Sequence, residues 1–139
     1  MTRRLGMARE RAAIISRRQH RSRPWPSVAH SRPAFLPEIV ADLRAGGNLG
    51  REITAIARDA QVSPVRLVRS FRRAYGISLA RYIRVLQMQR AHASLSDPAI
   101  SISSVAAEAG FSDQSHMTRA FARTYGATPA VLRRLTVAP

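Results

Sequence analysis

Asp113, Ser115 and His116 bring an acid, a hydroxyl and an imidazole within four residues, the side-chain types of a nucleophilic triad. Such chemistry needs the groups to converge on a strained nucleophile turn beside an oxyanion hole. Here they crowd one helical turn, with no glycine elbow at Ser115. Catalysis is therefore set aside, and the chain is not read as an enzyme. His20, His30 and His92 are scattered, and no carboxylate joins them at metal-ligand spacing. The chain has no Cys, which excludes disulfides, thiolate zinc sites and thiol chemistry. Neither a metal nor a cofactor is expected. What remains around His116 is a set of hydrogen-bonding side chains, Gln114, Ser115, His116, Thr118 and Arg119. They lie opposite Met117 and Phe121, which are i, i+4 partners on the inner face of one helix. Donors and acceptors on the outside of a helix suit the base edges of a DNA major groove.

The elements that must hold that helix can be read from spacing. Ile102, Val105, Ala106 and Ala109 recur at i, i+3, i+4 and i+7, one apolar stripe on a preceding short helix. Gly110 follows, where a helix ends if the next residue takes a left-handed conformation. Ser112 or Asp113 can then cap the second helix. Two short helices around a glycine turn, with a polar outer face on the second, make a helix-turn-helix. The pattern occurs twice. Ile53, Ile56, Ala57, Ala60 and Val62 match Ile102, Val105, Ala106, Ala109 and Phe111 at an offset of 49. Beyond the turn the offset is 50, and Leu67, Arg69, Phe71, Tyr75 and Gly76 match Met117, Arg119, Phe121, Tyr125 and Gly126. With only two copies this is one supersecondary unit used twice, not a solenoid.

The strings GFSDQSHMTRAFARTYGATP and, upstream, SPVRLVRSFRRAYGISLARYI resemble the DNA-binding domain of the AraC/XylS transcriptional regulators. The resemblance runs from Phe35 to Leu135, about three quarters of the chain. It implies an all-α fold of seven helices, in which two helix-turn-helix units are joined by one long helix. It also implies a regulator that reads two successive major grooves. By position in the family motif, Val65, Val68 and Arg69 fall where base-reading side chains sit. Arg66 is grouped with them, and Gln114, Ser115, His116, Thr118 and Arg119 face base edges in the second unit. Arg72, Arg73, Arg84 and Arg123 are assigned to the DNA backbone. Arg69 can take guanine in a bidentate fork, whereas a valine can only touch a thymine methyl. Valines are a departure from the more polar residues of relatives, and packing in the core is the other reading open for Val65 and Val68. Gln87 stands where relatives often carry a basic residue, which argues against a backbone contact there.

Composition agrees. The net charge is +15, and all 23 basic residues are Arg, which points to a polyanionic partner, double-stranded DNA before an anionic membrane. No run approaches the ~18 apolar residues of a membrane span. The stretch Ala12-Ala13-Ile14-Ile15 is too short for a signal-peptide core, so a cytoplasmic protein is expected.

Residues 1–33 carry nine Arg against one acid, Glu10, and read as an unstructured basic arm. It is open whether the arm adds affinity, is an inert tail or is the remnant of a truncated reading frame. Residues 34–139 form the domain, with a first unit at 34–77, a linker helix at 78–95 and a second unit at 96–139. Phe35 to Arg44 should form a first helix with Leu36, Ile39, Val40 and Leu43 on one face. Ser63 should cap a helix with Pro64 at its first position, and Ser78 should cap the linker helix. Along the linker, Leu79, Ile83, Leu86, Arg90 and Ala93 suggest one stripe. At ~1.5 Å per residue its seventeen residues span about 25 Å, against ~34 Å between successive groove faces. Arg81 and Arg84 lie along it, Arg81 more simply on a solvated face. Thr128 should cap a last short helix, leaving the final four residues unstructured. Two readings stay open, a stand-alone activator that binds an asymmetric site as a monomer and a truncated protein whose regulation is lost. A basic module that binds nucleic acid without sequence preference, or RNA polymerase, is the alternative. Competition by random duplex separates the two, because a specific reader prefers its site by ~10³ or more.

Overall fold

A computed structural model describes residues 32–137 of the chain. Among them are seven helices and no strand, and the chain divides between Gln87 and Met88 into two compact units. The basic arm expected at residues 1–33 lies outside the described residues, except for Arg32 and Pro33. These two are placed rather than loose. The Arg32 guanidinium carbon lies 4.9 Å from the centre of the Tyr75 ring, and the Pro33 carbonyl accepts from the Leu36 N–H at 3.1 Å.

In the first unit, helix α1 (Phe35–Arg44) buries Leu36, Ile39 and Leu43. Val40, expected on the same face, is only half-buried. The helix stops at Ala45-Gly46-Gly47-Asn48, where Gly46 takes φ +90° and Asn48 takes φ +60°. Helix α2 (Ile53–Asp59) buries Ile56 and Ala57. It ends at Gln61, a non-glycine residue at φ +57°, and the chain closes through a Val62 N–H bond to the Ala57 carbonyl at 3.0 Å. Helix α3 (Pro64–Tyr75) is capped by Ser63, whose hydroxyl accepts from the Arg66 N–H at 3.1 Å, and ends at Gly76 with φ +76°. Leu67 and Phe71 reach the core from α3, and the Phe71 ring lies 4.7 Å from Tyr75 and 5.5 Å from Tyr82. The Tyr82 hydroxyl accepts from Arg44 Nε at 3.1 Å. Arg51 pairs with Asp59 on the surface, and this contact holds the Asp59 carboxyl below its ordinary range.

Helix α4 (Leu79–Leu95), whose start is capped by Ser78, contributes to two separate cores. Leu79, Tyr82 and Ile83 pack into the first core, and Met88, Ala91 and Leu95 into the second. A single stripe through Leu86, Arg90 and Ala93 is therefore incorrect for its second half. Arg90 and Ala93 are exposed, because each half of the helix is buried by a different neighbourhood. Gln87 is buried, and its Nε2 donates to the Leu49 carbonyl at 2.7 Å. That amide ties the α1–α2 connection to the helix.

In the second unit, helix α5 (Ile102–Glu108) is capped by Ser101, whose hydroxyl accepts from the Ser104 N–H at 3.1 Å. Gly110 turns the chain at φ +85°, and the Phe111 N–H bonds to the Ala106 carbonyl at 3.0 Å. Of the two candidate caps for helix α6 (Gln114–Tyr125), Asp113 takes the role, accepting from the His116 N–H at 2.7 Å. Met117, Phe121 and Tyr125 fill this core together with Val105, Ala106 and Leu132. Thr128 caps helix α7 (Pro129–Val137) with a 3.3 Å bond from the Val131 N–H. That helix runs two residues further than expected, because the Thr136 hydroxyl bonds back to the Leu132 carbonyl and secures the last turn. Arg133 also anchors it, donating to the carbonyls of Leu95 and Asp97 at 3.1 and 3.2 Å.

The repeat is now visible as structure. Helices α2 and α5 have seven residues each, and α3 and α6 twelve each. The second turn is one residue longer, and Ser112 is the insertion that changes the offset from 49 to 50.

Candidate nucleic-acid interface

On α3 the buried positions Leu67, Phe71 and Ala74 define the inner side, and the 3.6-residue period then fixes the outer one. Val65, Arg69 and Arg72 lie near its centre, with Val68 on one flank and Arg66 and Arg73 on the other. All six are exposed. Val65 is 59% exposed and Val68 38%, so neither valine belongs to the core, which closes that reading. The helix holds four Arg and no acid. Arg66 is drawn toward the rim, its guanidinium carbon 5.4 Å from the centre of the Phe35 ring. It joins α3 to α1 more than it adds to the open face, a role that spacing within α3 gave no sign of.

On α6 the same construction puts Ser115 and Arg119 near the centre of the outer face, with Arg123 one turn further on and Gln114 at the helix start. These four are exposed, whereas His116 and Thr118 are half-buried. The His116 ring folds back on its own turn. It meets Phe111 edge-on at 5.2 Å, and its Nδ1 lies 3.1 Å from the Ser112 hydroxyl and 3.4 Å from the Ser112 nitrogen. The Asp113 carboxylate binds the backbone of His116, as a cap. Of the three groups that resembled a triad, Asp113 and His116 are thus occupied in shaping a helix start, while Ser115 stands exposed on the outer face. Ser112, which the sequence marks only as a possible cap, is the residue that holds the imidazole. The Arg123 Nε reaches back to the Arg119 carbonyl at 3.5 Å. Arg84 and Arg81 are exposed on α4.

Neither outer face contains an acidic side chain, although seven of the eight carboxylates fall among the described residues. Asp113 stands at the start of α6 and is the nearest in sequence to either face. No group of three or more His, Asp or Glu among the described residues could hold a metal ion, and no helix there is long and apolar enough to cross a membrane.

Residues 56–135 match the family model described as a helix-turn-helix domain. Among curated proteins, the chain is 38% identical over 81 residues to the HTH-type transcriptional regulator GlxA of Rhizobium meliloti, covering 58% of this chain and 25% of that protein. It is 32% identical over 111 residues to the transcriptional activator RhrA of the same organism, covering 78% of this chain and 34% of the relative. The chain therefore spans only a quarter to about a third of these two proteins. Among solved structures, it is similar to the C-terminal domain of AraT, a response regulator from Geobacillus stearothermophilus. The TM-score is 0.67 at 21% identity, over 76% of this chain and 88% of that one. An AraC-type transcriptional regulator from Chromobacterium violaceum superposes with a TM-score of 0.60 at 26% identity, over 76% and 94% of the two chains.

Proposed function

The chain belongs to the AraC/XylS family of helix-turn-helix regulators, and on that premise we propose that it is a sequence-specific, DNA-binding transcriptional regulator acting in the cytoplasm. Helices α3 and α6 enter two successive major grooves of one duplex. Val65, Val68 and Arg69 meet base edges from the first, and Gln114, Ser115 and Arg119 from the second. His116 and Thr118 line the edge of that contact, and Arg66 the edge of the other. Arg72, Arg73, Arg84 and Arg123 take phosphates, which supply position and affinity without sequence information. The observation that carries the reading is the double use of one capped helix. Each copy is locked from behind by a Phe and a Tyr, and each carries an acid-free outer face with arginines one turn apart.

Selection of bound duplexes from a random pool at physiological salt tests it, with the parent, Arg69→Ala and Arg119→Ala in parallel. Two short motifs about one helical turn apart are expected, each relaxed by one of the two substitutions. Four phosphate contacts imply a slope of log affinity on log salt of about −3.6, or a loss of roughly 10² between 50 and 200 mM. Recovery of no motif, with binding that merely fades as salt rises, would instead favour a basic module without sequence preference.

A further inference from the structure

The two outer faces share two arginine positions and differ in the residues beside them. At the offset of 50, Arg69 matches Arg119 and Arg73 matches Arg123, whereas Val65 faces Ser115 and Val68 faces Thr118. Large exposed apolar side chains are rare within residues 32–137. Among the described residues they are Val65, Val68 and Val137, at 59%, 38% and 41% exposure. Two of the three thus sit three residues apart on the same turns of α3, with Arg69 and Arg72 each four residues further along the same rows. Val137 is the last described residue of α7. The pair occupies the part of the helix where hydrogen-bonding side chains would be expected if α3 read its bases as α6 does.

A valine in that position can neither donate nor accept. The apolar group that a base edge offers it in the major groove is the methyl on C5 of a pyrimidine. Side chains three residues apart on a helix have Cβ atoms ~5–6 Å apart, and stacked base pairs are ~3.4 Å apart, so the pair spans one to two base steps. Resting on the reading proposed above, we infer that the first recognition helix reads pyrimidine 5-methyl groups through Val65 and Val68, next to a guanine held by Arg69. The valines sense the methyl and not the exocyclic group at C4. Thymine and 5-methylcytosine are therefore equivalent to them, and unmethylated cytosine or uracil is not. One consequence is that the two halves of the site differ in kind. The first is marked by methyls, the second by hydrogen-bonding edges offered to Gln114, Ser115 and Arg119.

The test uses the full chain and a duplex recovered by the selection. The half-site of α3 is identified as the one that Arg69→Ala relaxes. Its thymines are replaced one at a time by deoxyuridine, which removes the methyl and keeps every hydrogen-bonding group. The parent should lose about fourfold in affinity for each of two methyls, the worth of one buried methylene-sized group. The double variant Val65→Ser, Val68→Ser, which removes the apolar methyls of both side chains, should bind thymine and uracil duplexes equally. Both sites are exposed, so its thermal melt should match the parent's. Replacing cytosine by 5-methylcytosine at a contacted step should tighten binding by the parent and leave the double variant unmoved. Equal binding of thymine and uracil forms of a selected duplex by the parent would overturn the methyl inference and leave the bipartite reader standing. Failure to recover any motif would overturn both.

Discussion

Gln87 offers a measurable test of how the first unit is held. Its side chain is 9% exposed, and its amide donates at 2.7 Å to the carbonyl of Leu49, itself 4% exposed. Gln87→Met keeps the length and nearly the volume of the side chain while deleting the donor. The Leu49 carbonyl then stays out of water without that partner, at a cost of about 1–3 kcal/mol. Taking about 2 kcal/mol, and roughly 4–8 °C per kcal/mol for a domain of 60–100 residues, the melting transition should fall by about 8–16 °C. Circular dichroism at 222 nm during a thermal ramp reads this directly (the wavelength is roughly that of the helix minimum). Gln87→Glu sharpens the logic. At neutral pH it sets a carboxylate against a carbonyl oxygen in a buried site, so it should cost more than Met. Burial raises the folded pKa of such a carboxyl, so stability should recover as the pH falls and the protonated acid becomes a donor again. A Met variant melting within about 2 °C of the parent would refute the claim that this bond ties the α1–α2 connection to α4.

Three further expectations concern the two turns and the half-buried His92. Gly110→Ala should destabilise by about 1–2 kcal/mol, because its φ of +85° is left-handed. Gln61→Gly should stay within roughly 0.5 kcal/mol, relief of strain at φ +57° being offset by chain entropy, and urea midpoints compare the two. His92 lies 5.8 Å from the buried Tyr125 ring, and burial depresses its pKa below the ordinary 6.5. The unfolded chain then takes up the proton first as pH falls. The contribution of neutral His92 is fully present above about pH 6.5 and is lost as the pH falls through the folded value. His92→Phe should flatten the dependence of the urea midpoint on pH below that point.

Much of this architecture is legible in the sequence because local signals agree with one another. Ser63 before Pro64, Ser78 before Leu79 and Thr128 before Pro129 each mark a helix start, and Gly76 and Gly126 each mark an end. Their φ values of +76° and +70° are ones that glycine adopts freely. What the residues alone leave open is set by neighbours distant in the chain. The stripe on α4 fails after Leu86 because periodicity assumes one partner along the whole helix, and this helix has two. Within α3, no spacing could tell that Arg66 leans on Phe35, or that Val65 and Val68 stay in the open. On α6 the exposure of Gln114, Ser115 and Arg119 follows the reading, whereas Thr118 is half-buried and the half-burial of His116 depends on Ser112, the inserted residue of the longer turn. The C-terminal limit was missed for a small reason. Thr136 reads as a poor helix former, yet its hydroxyl satisfies a carbonyl at the helix end.

The caps of α3 and α6 also differ in charge. Each helix start carries the equivalent of about half a positive charge from its aligned peptide dipoles. At α3 the capping group is the neutral hydroxyl of Ser63, so that partial charge remains uncancelled, and four arginines follow it. At α6 the cap is the carboxylate of Asp113, which more than cancels the partial charge, and only two arginines follow. Two copies of one scaffold therefore present unequal potentials to a polyanion. Attraction to phosphate should fall mainly on the first helix and be the more weakened there by added salt. The second, with about +1.5 charges against about +4.5 on the first, depends more on short-range hydrogen bonding that ionic strength barely touches. Rising salt should then loosen the two half-sites in sequence, the first before the second.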